Sequence, residues 1–119
     1  NKTNYYAIPR IIYSNPEVFS VGLTENECKS RGIEHIAKSL PMTYSGKYFA
    51  EHGKDGAKAK MIVDKEKQIL GLHLIGNSEL SLIAEIMISN RMRIEDLNRI
   101  VYPHPTHGEI INELSALFK

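Results

Sequence analysis

The residues whose types and spacing best suit chemistry lie near the C-terminal end of the chain. This segment reads His104-Pro105-Thr106-His107-Gly108-Glu109. Two prolines bracket His104 and stiffen its backbone, and Thr106 can open a helix whose first N–H groups are free. From the first turn of that helix, Glu109 can reach back to one ring nitrogen, raise the basicity of the imidazole and leave the other nitrogen free to take a proton. The spacing is therefore typical of a histidine–glutamate acid–base dyad.

Two other interpretations of this segment remain open. Thr106 and Glu109 also form a capping box, and a glutamate in a first turn suits the helix dipole, so spacing alone does not separate a dyad from a structural cap. A metal site built on His104, His107 and Glu109 would lack an independent fourth ligand and a second cluster of ligands. We therefore assign no metal to the chain.

The remaining chemical groups give weaker signals. Cys28 is the single cysteine, so it cannot form an internal disulfide, a Cys-x-x-Cys pair or a zinc cluster, and we expect it to be a half-buried residue of a helix. His73 lies inside an apolar strand and is interpreted as a hydrogen-bonded core residue. The eight glycines form no Gly-rich phosphate-binding motif, and no Gly-x-Ser-x-Gly elbow is present.

Composition narrows the classes of protein to which the chain can belong. Its 119 residues are 42% hydrophobic and 24% charged, which indicates one compact domain. The formal charge of +1 comes without a basic block, and no apolar run approaches the ~18 residues of a membrane span, so we expect no nucleic-acid or membrane partner. The chain lacks a signal peptide and begins at Asn1, from which we expect a cytoplasmic protein cut from a larger one.

Local patterns predict the elements of the first half of the chain. Residues 10–23 are rich in β-branched and aromatic types around an Asn-Pro pair, which predicts two short strands and a turn. Thr24 and Glu27 have the spacing of a capping box at the start of a helix of about two turns. A third strand is expected over residues 34–40, followed by an ordered loop over residues 41–56.

The second half begins with a predicted antiparallel hairpin. Residues 57–63 alternate as in a half-buried strand, and after a charged turn residues 68–75 form its partner. The second run is apolar on both faces, with Leu70, Leu72 and Leu74 sharing one of them. We therefore expect it to be an inner strand of the sheet.

Helices are expected to follow the hairpin. Over residues 78–92, five apolar residues have helical spacing on one side: Leu80, Ile83, Ala84, Met87 and Ile88. Leu82 and Ile86 lie opposite, so this helix should pack on the sheet and on a partner chain. A short helix over residues 94–99 and a C-terminal helix complete the domain; the last has one apolar face formed by Ile110, Ile111, Leu114, Leu117 and Phe118. The order predicts one α+β domain, an antiparallel sheet of four to five strands with helices packed on it.

Four stretches together resemble the flavoprotein disulfide reductases, and most of all the dihydrolipoamide dehydrogenases among them. The first stretch is the ending His104-Pro105-Thr106-x-x-Glu109, which precedes an amphipathic helix. The other three stretches are residues 15–25, 69–76 and 78–85. The resemblance implies that residues 1–119 are the C-terminal dimerisation domain, of the interface-domain type, of a larger flavoenzyme. The FAD and NAD domains and the redox-active cysteine pair would lie upstream, with no cofactor expected on this fragment alone.

The same resemblance implies roles for individual residues. His104 would take a proton from a thiol of dihydrolipoamide, carried by the lipoyl domain of a 2-oxo acid dehydrogenase complex, and Glu109 would orient it. His104 and Pro105 would contact the cofactor, and the enzyme would be a homodimer, cytoplasmic or, in a eukaryote, in the mitochondrial matrix. Electrons would pass through FAD to NAD⁺, and the fragment alone would be inactive.

Two alternatives remain at this point. Glutathione reductases share the His-Pro-Thr-x-x-Glu ending, although the Asn15-Pro16-Glu17 turn is closer to the lipoamide branch. At the two positions before His104 this chain has Tyr102 and Pro103, whereas the lipoamide enzymes often have another histidine followed by a small residue. The second alternative is a free-standing homodimeric interaction module in which Thr106 and Glu109 only cap a helix.

Overall fold

The fold is an antiparallel sheet with helices on it, as seen in a computed structural model that describes residues 10–12, 17–42, 57–76, 80–99 and 109–118. The strands are β1 (Arg10–Ile12), β2 (Val18–Gly22), β3 (His35–Pro41), β4 (Lys58–Asp64) and β5 (Ile69–Ile75). The helices are α1 (Glu25–Ser30), α2 (Ser81–Ser89), α3 (Ile94–Leu97) and α4 (Glu109–Ala116). The sheet order is β1-β2-β5-β4-β3, and every described pair is antiparallel. The predicted α+β class is confirmed. Most of the predicted loop over residues 41–56 lies outside the described residues.

Helix α1 begins at the predicted capping box. The Thr24 hydroxyl accepts a hydrogen bond from the Glu27 backbone N–H at 3.1 Å, and the Glu27 carboxylate accepts one from the Thr24 N–H at 3.0 Å. Both bonds satisfy N–H groups that the first turn would otherwise leave open. The helix ends before Gly32, whose φ of +66° is the left-handed conformation that commonly follows a last turn.

The turn of the β4–β5 hairpin is organised by one carboxylate. Oδ1 of Asp64 accepts hydrogen bonds from the backbone N–H groups of Glu66 and Gln68, both at 2.9 Å. Lys67 adopts a positive φ of 65°, which lets the chain reverse within a few residues. The charged turn predicted between the two strands is thus confirmed.

Strand β5 lies in the interior of the sheet, between β2 and β4, as predicted. Ile62 pairs with Gly71 and Val63 pairs with Ile69, so Leu70 is an extra residue and forms a bulge. The bulge moves Leu70 to the opposite face from Leu72. The expectation that Leu70, Leu72 and Leu74 share one face is therefore wrong.

The main core lies between one face of the sheet and helices α2, α3 and α4. From the strands it takes chiefly alternate residues: Phe19, Val21, Ala59, Met61, Val63, Ile69, Leu72 and Leu74. Helix α2 contributes Ala84, Met87 and Ile88, but Ile83 is 42% exposed and lies outside the core, contrary to the prediction. Leu117, just beyond α4, is also exposed, because the last turn carries it away from the sheet. No helix in the described part of the chain is long and apolar enough to cross a membrane.

A smaller apolar cluster lies on the other face of the sheet, under α1. It consists of Leu23, Cys28, Ile62 and Leu70. The backbone approaches very closely here: a Cβ atom on Gly22 would lie 2.2 Å from the Leu70 carbonyl oxygen, and one on Gly71 would lie 2.1 Å from the Leu23 carbonyl oxygen. Only glycine leaves room for this close approach at the Gly22–Gly71 pair of β2 and β5.

His73 links three strands to the start of α1 through a chain of hydrogen bonds. Its Nε2–H donates to the Leu23 carbonyl oxygen at 2.8 Å, since a carbonyl can only accept, and its Nδ1 then accepts from the Ser20 hydroxyl at 2.5 Å. The Ser20 oxygen in turn accepts from Nη2 of Arg10 at 3.2 Å. His73 is thus a hydrogen-bonded residue of an inner strand, as predicted, but it is half-buried and belongs to neither apolar cluster, so the prediction of a core residue is wrong.

Burial lowers the pKa of His73 below its usual value of 6.5. The hydrogen bond to Leu23 opposes this shift, the charges of Arg10 and Lys60 add to it, and the charge of Glu27 opposes it. A lowered pKa means that the unfolded chain takes up a proton more readily than the folded one. The contribution of His73 to stability is therefore complete above its unfolded pKa and is lost as the pH falls from there toward its folded pKa.

The close approach of β5 to Gly22 predicts that the Gly→Ala substitution costs much more stability at Gly22 than at Gly32. Gly22→Ala should lower the free energy of unfolding by roughly 3 kcal/mol or more, because its Cβ would meet backbone and its φ is +80°. Gly32→Ala is the matched control: φ is +66°, but no atom lies within 4 Å of its Cβ, so only about 1 kcal/mol is expected. Urea denaturation measures both. Equal losses of free energy of unfolding in the two variants would show that the close approach at Gly22 does not determine the cost of the substitution.

The titration of His73 predicts a loss of stability in mild acid. As the pH is lowered from about 8 to about 5, the free energy of unfolding of the wild-type chain should fall once the pH is below about 6.5. The side chain of His73→Gln can hydrogen-bond but does not titrate, so the free energy of unfolding of this variant should fall less. Urea unfolding at several pH values tests this, and a wild-type slope in His73→Gln would contradict it.

Candidate functional site

The predicted dyad lies at the entry to α4, and the structure describes one end of it. His104 and Pro105 lie outside the described residues. Glu109 is the first residue of α4, where the sequence analysis expects it, and its backbone alone is described. Whether its carboxylate meets His104 or caps the helix thus stays a prediction.

Helix α4 is anchored firmly by the residues that follow Glu109. Ile110, Ile111 and Leu114 are at most 1% exposed and belong to the main core. The helix packs against β3, β4 and α3. Because these contacts hold the first turn against the sheet, the backbone of Glu109 has a fixed position from which a carboxylate can orient a neighbouring group.

Helix α2 has a second apolar side that the domain does not cover. Leu82 is 62% exposed, Ile86 is 51% exposed, and Ile83 joins them on this outer side. Ala84 and Met87 on the inner side are buried against β2 and β5. Three neighbouring exposed aliphatic residues on one helix form a surface suited to another protein.

A group of charged side chains surrounds the edge of the α1 cluster. Nζ of Lys60 donates to Oε1 of Glu25 at 2.7 Å, and Nε2 of His35 lies 3.9 Å from Oε2 of the same carboxylate. The hydrogen bond and charge of Lys60 lower the pKa of Glu25 below its usual range. Residues 25 and 60 are far apart in sequence, so no local pattern could have revealed this pairing.

Cys28 is inaccessible, whereas the sequence predicted a half-buried position. Its side chain has 0% exposure in the cluster beneath α1. Burial raises the pKa of its thiol, and the negative charge of Glu27 adds to the effect. A neutral, enclosed thiol is a poor nucleophile, so Cys28 is a packing residue.

Curated relatives cover nearly the whole chain. A dihydrolipoyl dehydrogenase from Geobacillus stearothermophilus is 38% identical over 117 residues, which are 96% of this chain and 25% of the relative. A dihydrolipoyl dehydrogenase from Mycoplasma genitalium is 35% identical over 108 residues, 89% of this chain and 24% of the relative. The chain therefore spans about a quarter of the length of these relatives.

Solved structures share the fold. The HOCl-induced flavoprotein disulfide reductase RclA from Escherichia coli superposes with a TM-score of 0.86 at 24% identity, covering 98% of this chain and 27% of that one. LpdA from Mycobacterium tuberculosis gives a TM-score of 0.87 at 15% identity, covering 100% of this chain and 26% of that one. At these identities the likeness concerns the arrangement of strands and helices.

A family model matches residues 8–115. The match includes every strand, α1 to α3, and all of α4 except its last residue. It is consistent with the five-stranded antiparallel sheet and with the uncovered apolar side of α2. The chain belongs to the dimerisation-domain family of the pyridine nucleotide-disulphide oxidoreductases.

Proposed function

We propose that this chain is the dimerisation domain of a dihydrolipoamide dehydrogenase and supplies the acid–base group of its thiol oxidation. The observation that carries the proposal is the similarity, at 35% to 38% identity over most of the chain, to curated proteins named dihydrolipoyl dehydrogenase. The His-Pro-Thr-x-x-Glu ending supports it, since those residue types suit proton transfer.

His104 acts as the base in this proposal. A thiol with a pKa near about 8.5 is mostly protonated at neutral pH, and only its thiolate attacks a disulfide. An imidazole that removes the thiol proton raises the thiolate fraction directly. The stiff backbone between Pro103 and Pro105 suits this role because it limits the positions that the ring can take.

Glu109 positions His104. A carboxylate hydrogen-bonded to one ring nitrogen favours a single tautomer and stabilises the imidazolium that forms when the other nitrogen takes a proton. The buried residues Ile110, Ile111 and Leu114 support this role, because they hold the first turn of α4 against the sheet.

FAD and NAD⁺ belong to the parts of the enzyme outside these 119 residues. When bound, they carry the electrons taken from the substrate. The sequence has no Gly-rich phosphate-binding motif of its own, so its part in cofactor contact is limited to His104 and Pro105 beside the flavin. His104 acts across the subunit boundary, on a substrate bound next to the partner's flavin.

The enzyme is a homodimer in this proposal, joined in part by the outer side of α2. Its substrate is dihydrolipoamide on the lipoyl domain of a 2-oxo acid dehydrogenase complex, which places it in the cytoplasm or, in a eukaryote, in the mitochondrial matrix. Two copies of Leu82, Ile83 and Ile86 facing each other across a two-fold axis would remove their exposed apolar surface from water.

Replacing His104 tests the proposed chemistry. In the full enzyme, His104→Gln should slow reduction of the flavin by dihydrolipoamide roughly 10²- to 10⁴-fold, the usual effect of losing an acid–base group. Stopped-flow absorbance of the flavin measures this step. Flavin content and dimer mass should not change, because the substitution removes a proton acceptor and leaves the helix anchor intact.

Glu109→Gln is the companion variant and should slow the same step less, because the base remains. If His104→Gln keeps near-normal turnover with dihydrolipoamide, the capping interpretation replaces the dyad. Activity with reduced glutathione, and none with dihydrolipoamide, would place the enzyme in the glutathione branch. A coding sequence with no Cys-x4-Cys pair and no Gly-rich nucleotide motif upstream would favour a free-standing module.

The uncovered side of α2 predicts the dimer interface. In the full enzyme, Leu82→Glu should weaken the dimer about 100-fold or more, since each interface would contain two buried carboxylates in place of two leucines. Ser39→Glu, which adds the same charge on exposed β3, should leave the dimer unchanged. Light scattering over a dilution series measures both. An intact Leu82→Glu dimer would show that the dimer interface does not include this side of α2.

A further inference from the structure

Helix α3 is a single turn that forms only because contacts outside the turn hold it. Its four residues are too few to offset the cost of starting a helix. Two backbone hydrogen bonds to the start of β5 fix its place: the Ile69 N–H donates to the Met92 carbonyl at 2.9 Å. The Ile94 N–H donates to the Lys67 carbonyl, also at 2.9 Å. These bonds set where the chain enters the turn, and other groups must close the turn itself.

The carboxylate of Asp96 closes this turn. Its Oδ2 accepts a hydrogen bond from the Arg93 backbone N–H at 2.8 Å, so a side chain of α3 satisfies an N–H group at the start of the helix. Its Oδ1 lies 3.6 Å from Nη1 of Arg99, but the Arg99 side chain is 73% exposed, and such exposed ion pairs contribute little. The bond to Arg93 is therefore the contact through which Asp96 shapes α3.

Helix α3 lies against the helix that begins at Glu109. Ile94 and Leu97 are buried in the main core together with Ile110 and Ile111 of the first turn of α4. The two helices are in contact. Because closely packed side chains transmit small displacements, the position of α3 limits where the first turn of α4 can lie.

The sequence between these two helices contains His104. The chain leaves α3 after Leu97 and enters α4 at Glu109. A change in α3 would thus reach the proposed acid–base pair in two ways, through the packing against α4 and through the point where the intervening sequence starts. A displacement of about 1 Å, even one caused far from the reacting atoms, can slow a reaction about 10²-fold.

We propose that Asp96 is a positioning residue for the acid–base pair of His104 and Glu109. Its carboxylate closes α3, and α3 fixes the first turn of α4, from which Glu109 orients His104. Asp96 acts through this packing and not by contact with the substrate. The inference rests on the proposed function and adds a residue to it.

Asp96→Ala in the full enzyme removes the bond to Arg93. Reduction of the flavin by dihydrolipoamide should slow about tenfold, because the backbone bonds to β5 keep α3 in place but the turn is no longer closed. The fall of this rate at low pH should move to lower pH, since a displaced Glu109 stabilises the imidazolium less. Stopped-flow absorbance from about pH 5 to about pH 8 measures both. An unchanged rate and pH profile would overturn the proposal.

Asp96→Asn separates the hydrogen bond from the charge. The asparagine side-chain oxygen can still accept from the Arg93 N–H, so this variant should keep the wild-type rate and pH profile. If Asp96→Asn behaves like Asp96→Ala, the negative charge and not the closed turn is what the reaction needs, and the proposal fails.

Glu27 offers a matched control at the other capping box. Its carboxylate accepts from the Thr24 N–H at 3.0 Å, so Glu27→Ala removes the same kind of bond from α1, on the opposite face of the sheet. This variant should lose a similar amount of stability in urea and keep the wild-type rate and pH profile. Equal slowing in Glu27→Ala and Asp96→Ala would show general destabilisation and contradict a positioning role.

Chemical modification measures the same effect without turnover. Diethyl pyrocarbonate reacts with the unprotonated imidazole, so the pH midpoint of its reaction with His104, followed by mass spectrometry, reports how well the charged ring is stabilised. The midpoint should fall in Asp96→Ala and stay at the wild-type value in Asp96→Asn and Glu27→Ala. An unchanged midpoint in Asp96→Ala would contradict the proposal.

A milder pair of variants applies if Asp96→Ala yields no folded enzyme. Ile94→Val removes one carbon from the buried side of α3 and should slow flavin reduction about twofold. Ile62→Val removes the same carbon from the buried cluster on the other face and should not slow it. Equal rates in the two variants would overturn the proposal.

His104→Gln distinguishes the failure of this inference from the failure of the proposed function. If flavin reduction is slow in His104→Gln but normal in Asp96→Ala, the positioning role alone is overturned. Near-normal turnover in His104→Gln would overturn both.

Discussion

The close pairing of β2 and β5 at Gly22 and Gly71 is the contact on which the rest of this domain depends. At this point the Leu23 N–H donates to the Leu70 carbonyl at 2.9 Å, and the Leu23 carbonyl accepts from His73. Leu23 is thus held to β5 through both of its backbone groups. Because Leu23 is followed directly by the capping box of α1, this pairing decides where that helix lies on the sheet face opposite the main core.

The bulge at Leu70 lets strand β5 contribute residues to both faces of the sheet. One extra residue in β5 sends Leu70 to the α1 cluster while Ile69 and Leu72 enter the main core. A strand without a bulge would place alternate residues on strictly alternate faces. Strand β5 therefore contributes residues to both apolar clusters, so α1 and the three helices of the main core pack on the same strand.

Local signals in the sequence predicted the elements, and long-range geometry accounts for what they missed. The capping box of α1 and the turn after Asp64 follow from neighbouring residues, whose hydrogen bonds need no distant partner. The inner position of β5 follows from the apolar residues on both of its faces, although its partner β2 lies about 50 residues away. The bulge at Leu70 could not be read from three alternating leucines. The hydrogen bonds among Arg10, Ser20 and His73 join residues 10 and 53 positions apart. For the site, the sequence placed Glu109 at the start of a helix, but this position suits a cap with Thr106, three residues earlier, as well as a dyad with His104, five residues earlier.

The burial of Cys28 has a consequence for the thiol chemistry proposed above. A mixed disulfide forms when a thiolate attacks one sulfur of an existing disulfide and the other sulfur leaves as a thiolate, so any spare reactive cysteine near such chemistry competes with the intended ones. Here the chain's single thiol is enclosed by Leu23, Ile62 and Leu70, and burial raises its pKa and so favours its protonated form. If the proposed function holds, the domain can lie beside reactive dithiols without becoming trapped in cross-links to the substrate.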